Sequence, residues 1–225
     1  LFVGFPTRYT DRGWNATTQA LPEPEARQLR AKTNPRYGSA VTDGLFMSSR
    51  DGKTFKRWGE AFMRPGLRTA GNWVYGDNYQ SWGVVETAGD LPGAPAELSF
   101  YSTEGYRRGT ANTIRRFALR MDGFVAVNAP AAGGELLTRP LIFDGARLLL
   151  NMSTSGAGCV QVEIQTPEGA PIEGFAMGDG PEMVGDALDY VALWKNPSAL
   201  AALAGRPVRL RLELRLANLY AVRIG

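Results

Sequence analysis

The segment from residue 72 to residue 82, NWVYGDNYQSW, combines aromatic rings with side chains that form directed hydrogen bonds. A sugar stacks its apolar face on an aromatic ring, and its hydroxyl groups need amide, guanidinium or carboxylate partners. This composition is therefore suited to binding a carbohydrate. The alternative is that the rings pack in the core between neighbouring sheets. The side chains concerned are Asn72, Trp73, Tyr75, Asn78, Tyr79, Gln80 and Trp82.

A second segment, residues 48–58 (SSRDGKTFKRW), places an acidic residue beside a glycine. Asp51, with its neighbours Ser49 and Thr54, can accept hydrogen bonds from the backbone of a tight turn, and Gly52 supplies the positive φ of such a turn. A calcium loop would require several oxygen ligands at close intervals, whereas basic residues flank the single Asp here. The motif therefore predicts a structural hairpin turn, and we assign no metal ligands to it.

Composition excludes several classes of site within this chain. There is no histidine, which removes the Ser-His-Asp triad, the Cys-His pair and histidine-ligated metals. The one cysteine, Cys159, cannot form an internal disulfide, and the apolar alternation around it predicts a buried small side chain. Acidic and basic residues are interleaved at a net charge of +3, so we expect no nucleic-acid partner. No window approaches the ~18 apolar residues of a membrane span. We therefore expect no membrane partner, and we expect no cofactor.

Short strands must position the residues of the first half of the chain. Up to residue 122 the predicted strands are LFVGFPTRY, DGLFMSS, TFKRW, QSWGVVET, AELSFYST and TIRRFALRM. The polar, proline-rich residues 11–40 form a long insertion, in which EPEARQLRAK predicts a short helix. The glycine- and proline-rich AGDLPGAPA predicts a loop after the fourth strand.

The strands become longer from residue 123, after the turn at Asp122 and Gly123. The predicted strands are GFVAVNA, GELLTRPLIF, RLLLNMST, CVQVEIQT, IEGFAMG, DALDYVALW and RPVRLRLELRLANLYAVRI. In the last of these, apolar residues from Val208 to Leu216 alternate with charged residues, which is the period of a strand with one buried face. The preceding SALAALAG predicts a helical turn closed by Gly205. Residues 123–225 therefore predict an antiparallel, jelly-roll-like β-sandwich.

The turn in residues 48–58 resembles the hairpin between the third and fourth strands of a β-propeller blade, as in sialidases and five-bladed glycoside hydrolases. The chain as a whole resembles the C-terminal half of proteins similar to glycoside hydrolase families 32 and 43, in which a propeller precedes a β-sandwich. The resemblance is closer over residues 95–225 than over residues 1–94. The segments that carry it are FPTRY, SSRDG, WGVVET, ELSFYST, MDGFVAVNAP, GGELLTRPLIFDG, VQVEIQTPEGAPIEGF and LAGRPVRLRLEL.

The resemblance implies an all-β fold with two domains. Residues 1–122 would form a partial β-propeller (its last two blades), and residues 123–225 would form the β-sandwich domain. Because propellers typically have four or more blades, we expect N-terminal propeller blades upstream of Leu1, or a partner chain that supplies them.

In such glycoside hydrolases one carboxylate acts as the acid and another as nucleophile or base at the glycosidic bond. The family's catalytic carboxylates lie on the first three blades, which the resemblance places upstream of Leu1, so no catalytic residue is assigned. Asp43, Asp77 and Glu86 lie near the ends of predicted strands and are candidates to join that set. Surface or turn roles are the alternative for all three.

The resemblance also indicates where a sugar would bind. Arg8 and Tyr9, at the end of FPTRY, would lie at the mouth of the propeller channel. There they would lie beside the predicted sugar-binding residues of the segment 72–82. The predicted substrate-binding residues are Arg8, Tyr9, Trp73, Asn78, Tyr79, Gln80 and Trp82.

Three functions follow from these observations. The first is part of a glycoside hydrolase acting on a poly- or oligosaccharide; the second is a non-catalytic carbohydrate-binding protein; the third is a structural β-sandwich that supports a neighbour. Carboxylates that converge in the fold would favour the glycoside hydrolase. An aromatic platform without paired acids would favour the carbohydrate-binding protein, and fully buried aromatic rings would favour the structural β-sandwich. The resemblance alone implies a secreted or periplasmic protein, because a polysaccharide substrate lies outside the cell.

Overall fold

The computed structural model describes residues 1–106, 112–195 and 197–225, with the backbone alone for residues 197–199. The chain divides into an N-terminal unit, Leu1–Arg120, and a C-terminal unit, Met121–Gly225. It is mostly β with antiparallel sheets, as the sequence predicts. Within the described residues, no helix has the length and apolar character needed to cross a membrane.

The strands described in the N-terminal unit are short and pair antiparallel. They are Phe2–Gly4 (β1), Thr7–Asp11 (β2), Ala40–Gly44 (β3), Met47–Ser49 (β4), Lys56–Arg57 (β5), Val85–Thr87 (β6), Glu97–Glu104 (β7) and Thr113–Arg120 (β8). The helices are Ala16–Gln19 (α1), Pro24–Ala31 (α2) and Arg36–Ser39 (α3). The helix predicted within residues 11–40 is confirmed as α2.

The first two predicted strands form two short antiparallel sheets. β1 pairs with β4 in one and β2 pairs with β3 in the other, and between them Leu45 N–H donates to the Pro6 carbonyl oxygen at 2.8 Å. β5 continues the first sheet on the other side of β4. LFVGFPTRY is therefore divided into β1 and β2, because Pro6 has no N–H with which to continue the ladder.

The turn between β4 and β5 is held by the carboxylate of Asp51. Its Oδ1 accepts hydrogen bonds from Thr54 N–H (2.8 Å), Lys53 N–H (2.8 Å) and Ser49 Oγ (2.8 Å). These bonds favour the charged form and lower the pKa of Asp51 to about 2. Gly52 has a φ of 71°. The predicted structural turn is confirmed.

A third sheet contains β6, β7 and β8 in sequence order. The predicted strand QSWGVVET occurs in two parts along β7. Residues 78–81 pair first, for example through Ser81 N–H donating to the Tyr101 carbonyl oxygen at 2.8 Å, and pairing resumes in β6. The ladder is interrupted at residues 82–84, where Gly83 has a φ of 86°. Trp82 therefore lies in a turn outside the ladder.

Phenylalanine rings from different strands and loops of the N-terminal unit pack against one another. The ring centroids of Phe62 and Phe100 are 5.4 Å apart, those of Phe100 and Phe117 are 5.6 Å apart, and those of Phe5 and Phe46 are 5.9 Å apart. Burying a ring of this size contributes about 1.5–3 kcal/mol. This aromatic cluster is part of the apolar core of the N-terminal unit.

Arg27 on α2 is a fully buried cation. Its guanidinium donates to the carbonyl oxygens of Pro22 (2.8 Å), Gly38 (3.3 Å), Asn72 (3.4 Å) and Trp73 (2.6 Å). Burial lowers its pKa to about 10, so the group remains protonated at neutral pH. Because these oxygens satisfy its donors, the buried charge is tolerated, and it ties α2 to the loop that carries Trp73.

The C-terminal unit contains longer strands, which form one antiparallel sheet. They are Val127–Ala129 (β9), Gly134–Leu137 (β10), Leu148–Gln165 (β11), Asp186–Val191 (β12) and Arg209–Ile224 (β13), with 3₁₀ helices at Met177–Asp179 and Pro197–Leu203. The second of these helices contains the predicted helical turn, and Gly205 after it has a φ of 76°. Cys159 is buried, as predicted.

β11 and β13 pair along most of their length and form the centre of this sheet. The segments RLLLNMST and CVQVEIQT, predicted as two strands, are one strand whose pairing is irregular between Thr154 and Cys159. Opposite this irregularity Leu216 has a φ of 46°, and beyond it the buried residues of β13 are at odd-numbered instead of even-numbered positions. The buried residues before and after it are Leu210, Leu212, Leu214, Ala217 and Leu219. The predicted alternation therefore ends at Leu214, because the bulge turns the following residues over.

The strand predicted in IEGFAMG is wrong. Gly174 has a φ of 82°, and Phe175 N–H donates to the Ile172 carbonyl oxygen at 2.9 Å, which is a turn. The turn places the Phe175 ring edge-on to Trp194, with centroids 5.1 Å apart. Trp194 Nε1–H donates to the Val162 carbonyl oxygen at 3.2 Å, so its one polar atom is satisfied within the core.

We expect Arg27→Met to lower the free energy of unfolding by about 2–4 kcal/mol, because the substitution leaves buried carbonyl oxygens without donors. Arg68→Met is the matched control, since Arg68 is exposed and donates to the Ala20 carbonyl oxygen at 3.3 Å; we expect a change within about 0.5 kcal/mol. Urea denaturation measures both variants. Equal effects of the two substitutions would contradict the role given to Arg27.

Candidate functional site

One face of the β2–β3 ribbon forms the floor of a cleft of about 890 Å³ in the N-terminal unit. Side chains two residues apart on a strand point to the same side, and Arg8, Thr10 and Arg12 all line this cleft. Val41 and Asp43, which pair with Thr10 and Arg8 across the ribbon, also line it. The pairing of β2 with β3 therefore assembles a polar floor from residues more than thirty positions apart in the chain.

The wall of the cleft consists of residues 60–67 and Trp73. This loop is closed by its own side chains. Asn72 Nδ2 donates to the Pro65 carbonyl oxygen at 3.0 Å, and Trp73 Nε1–H donates to the Gly66 carbonyl oxygen at 2.9 Å. The indole is half-buried, so a face of the ring is held in place while part of it remains accessible.

Trp73 has a φ of 61°, which is unfavourable for a bulky side chain. Two contacts from α2 and its N-terminal residue hold this conformation. Arg27 donates to the Trp73 carbonyl oxygen at 2.6 Å, and the Glu23 carboxylate accepts from Gly71 N–H at 2.7 Å. The insertion formed by residues 11–40 is therefore what positions the indole of the cleft.

Arg8 and Asp43 form a bidentate ion pair on the floor of the cleft. Arg8 Nε donates to Asp43 Oδ1 at 2.9 Å, and Arg8 Nη2 donates to Asp43 Oδ2 at 2.5 Å. Arg8 Nη1 donates to the Gly59 carbonyl oxygen at 2.8 Å. The hydrogen bond to Asp43 is the main cause of the raised pKa of Arg8. Because one guanidinium binds both carboxylate oxygens, the Arg8–Asp43 pair holds a fixed geometry.

Glu60 is the second acid of the cleft, and it forms an ion pair with Arg64, four residues further along the chain. Both side chains are largely exposed, so this pair contributes little to stability. The ion pair matters for the chemistry of the cleft, because both acids that line the cleft, Asp43 and Glu60, are thereby neutralised by an arginine that also lines it.

Asp77 has a different environment, because it is buried. Its Oδ1 accepts from Tyr106 N–H at 2.8 Å, and its Oδ2 has no hydrogen-bond partner among the residues that the structure describes. Burial is the main cause that raises the pKa of Asp77 to about 6; Glu104 adds to this effect and Arg30 opposes it. Asp77 lines a second cavity, of about 610 Å³, but its free oxygen is shielded from solvent.

The remaining predicted sugar-binding residues do not line the first cleft. Tyr9 lies in β2 between the cleft residues Arg8 and Thr10 and points the other way, where it meets the ring of Tyr75 edge-on at 6.2 Å. The guanidinium of Arg36 lies 5.0 Å above the Tyr9 ring. Tyr9 is therefore part of the packing around the insertion and does not belong to the floor of the cleft.

Asn78 is buried and donates through Nδ2 to the Thr42 carbonyl oxygen at 3.0 Å. The amide atoms of Gln80 are buried and have no partner among the described residues. Tyr79 and Trp82 are exposed, Trp82 completely, and neither lines the first cleft or the second cavity. Glu86 is exposed on β6. The structure thus brings together Arg8, Asp43 and Trp73 from the predicted set.

The polar residues of the cleft that were not predicted from the sequence are Thr10, Arg12, Thr42, Glu60 and Arg64. The period of two that begins at Arg8 was a usable signal for Thr10 and Arg12, because those residues share one face of a strand. No local pattern indicated residues 60–67, which reach the cleft only through the folded loop.

No family model, no curated protein and no solved structure matches this chain. Within the described residues, no group of three or more His, Cys, Asp or Glu is arranged to hold a metal ion. The chemistry of the cleft therefore has to be inferred from its side chains: an indole, an ion-paired carboxylate, guanidinium groups and a hydroxyl.

We expect stability to fall as pH rises from about 4 to about 6, because Asp77 binds its proton more tightly in the folded state than in the unfolded state, where its pKa is about 3.9. The favourable contribution is complete below pH 4 and is lost above pH 6, on the order of 2–3 kcal/mol. Urea denaturation at intervals between pH 4 and pH 7 measures this slope, which Asp77→Asn should remove.

Asp51→Asn is the control for this experiment. Asp51 has a pKa of about 2 in the folded state and about 3.9 in the unfolded state, so it is ionised in both states above about pH 5, and the variant should keep the slope of the wild type between pH 5 and pH 7. An unchanged slope in Asp77→Asn would show that another group causes the pH dependence.

Proposed function

We propose that this chain is part of a glycoside hydrolase that acts on a poly- or oligosaccharide, and that its own cleft binds the saccharide. In this proposal the N-terminal unit supplies late blades of a propeller, and the C-terminal unit is an accessory β-sandwich. The single observation that carries the binding function is the cleft in which the Trp73 indole is held across from the polar floor of β2 and β3.

The side chains of the cleft match what a sugar requires. An indole provides a flat apolar surface for the ring face of a sugar, and hydroxyl groups need fixed donors and acceptors. Arg8 and Asp43 hold each other in one geometry through two parallel hydrogen bonds, so neither has to be ordered when a ligand binds. Thr10 adds a hydroxyl beside them.

The sheets of the N-terminal unit support the propeller reading. β1, β4 and β5 are adjacent in one three-stranded antiparallel sheet, and β6, β7 and β8 are adjacent in another. A propeller blade is a four-stranded antiparallel sheet. Completion of the propeller by further blades, from the same or another chain, belongs to the proposal, as does a secreted or periplasmic location.

Non-catalytic carbohydrate binding is the second candidate, and one observation favours it for this chain taken alone. Glycoside hydrolysis needs one carboxyl group that donates a proton and a second that acts as base or nucleophile. In the cleft Asp43 and Glu60 are each paired with an arginine. We therefore propose that this chain contributes binding and that the catalytic acids come from other blades.

We expect Trp73→Ala to weaken binding of a soluble polysaccharide by at least tenfold, since loss of ring stacking removes on the order of 1–2 kcal/mol and the cleft also loses its wall. Affinity electrophoresis through gels containing xylan, arabinan, inulin or dextran measures the retardation. Trp82→Ala is the matched control, because Trp82 is fully exposed outside the cleft, and we expect it to behave as the wild type.

Trp73→Phe keeps an aromatic face and should retain most of the retardation, which separates stacking from the hydrogen bond that Trp73 Nε1–H makes with Gly66. If Trp82→Ala abolishes binding while Trp73→Ala does not, the saccharide binds on the exposed turn at residues 82–84. If no polysaccharide retards the wild type, the binding function is wrong.

A further inference from the structure

The cleft has a charge that its own residues do not balance. Three arginines line it, Arg8, Arg12 and Arg64, together with the acids Asp43 and Glu60. Arg8 is paired with Asp43, and Arg64 is paired with Glu60. Arg12 is exposed, and among the described residues no side chain forms a hydrogen bond or ion pair with its guanidinium. The cleft therefore carries one uncompensated positive charge.

The acid next to Arg12 in the sequence does not neutralise it. Asp11 is on the opposite face of β2, where its Oδ1 accepts from Ser39 Oγ at 2.6 Å and from Gly13 N–H at 3.0 Å. Those bonds, led by the one from Ser39, lower the pKa of Asp11. Because successive side chains of a strand point to opposite faces, the charge of Asp11 is directed away from the cleft while that of Arg12 faces it.

The N-terminal unit as a whole favours anions. By sequence, residues 1–120 contain 17 Lys and Arg and 11 Asp and Glu, so 17 − 11 gives a formal charge of +6. Such a field raises the local concentration of a negatively charged ligand. It acts over the whole unit, whereas the position of Arg12 in the cleft determines where a single anionic group would be held.

We infer that the saccharide bound in this cleft carries an anionic group, a carboxylate or a sulfate ester, which pairs with the guanidinium of Arg12. This inference rests on the proposed carbohydrate-binding function and names its substrate class. Arginine suits this role because its planar donors match a carboxylate or sulfate in two parallel hydrogen bonds. Arg12 lies four residues from Arg8 along the chain, about 13 Å in extended backbone, so the anionic group and the sugar at Arg8 belong to different rings of an oligosaccharide.

The test uses the full chain labelled with ¹⁵N, with monosaccharides as probes. D-glucuronate and D-glucose 6-sulfate are the anionic probes, and D-glucose is the neutral counterpart of both. The Nε–H resonance of Arg12 reports the anion site, the Nε1–H resonance of Trp73 reports the sugar site, and the Nε–H resonance of Arg68 reports an exposed arginine outside the cleft. Each resonance is followed to 100 mM probe at low salt.

We expect D-glucuronate or D-glucose 6-sulfate to shift the Arg12 resonance saturably, and D-glucose to shift Trp73 alone. The anionic probe that saturates at the lower concentration identifies carboxylate or sulfate as the natural group. Arg12→Gln should raise the Kd for that probe about tenfold, the effect of losing one charged hydrogen-bonding partner, and should change the Kd for D-glucose by less than twofold.

The two proposals fail in different ways. A shift at Trp73 without any shift at Arg12 overturns the inference of an anionic saccharide and leaves the carbohydrate-binding function standing. Equal, non-saturating shifts at Arg12 and Arg68 also overturn the inference, because they show only general attraction of anions. If neither Trp73 nor Arg12 responds to any probe, both proposals are wrong.

Discussion

The buried guanidinium of Arg27 is the interaction on which the candidate site depends. A cation without solvent is tolerated in a protein only when its donors are satisfied, and here four backbone carbonyl oxygens from three separate segments perform that function. One of them belongs to Trp73, whose backbone conformation is unfavourable by itself. The polar insertion is thus a structural part of the N-terminal unit, because its helix holds the wall of the cleft.

The pairing of charges determines what the cleft can do. Asp43 and Glu60 are bound to arginines, whereas Asp77 forms no ion pair with any residue that the structure describes, has a raised pKa and is closed off from solvent. An acid for glycoside hydrolysis has to be both suitably protonated and accessible to the substrate. These properties are separated in this part of the structure, since the two acids that line the cleft are paired with arginines and the acid with the raised pKa is enclosed. Binding of a saccharide is therefore the function that we propose for the cleft.

The C-terminal unit is organised differently, because two long strands, β11 and β13, form the centre of its sheet. Each of them contains an irregularity at the same level of the sheet. Bulges bend a strand and change the face on which its side chains lie, and the residues on both sides of the bend join one apolar cluster. The bend thus lets the two ends of a single pair of strands share a core, which Phe175 and Trp194 complete.

Local chemistry was enough to predict several features from the sequence. The turn at Asp51 and Gly52, the helix α2, and the strands β7 and β8 depend on patterns and contacts of residues close in the chain. The alternation in β13 was correct up to Leu214 because a period of two requires only one buried face. The sugar-binding interpretation rested on residue types, and the fold retained Arg8 and Trp73 for the cleft while it placed Tyr9 and Asn78 in packing roles.

Local sequence patterns were sufficient for the mostly β character of the chain, its turns, and the kinds of side chain available for a polar ligand. Which of these side chains meet depends on the folded chain. Arg8 pairs with Asp43, Arg27 binds the Trp73 carbonyl oxygen, and Arg12 has no acidic partner in the part of the chain that the structure describes. Burial, strand register and the balance of charge in a cleft are properties of those distant pairings, so no local pattern of residues can specify them.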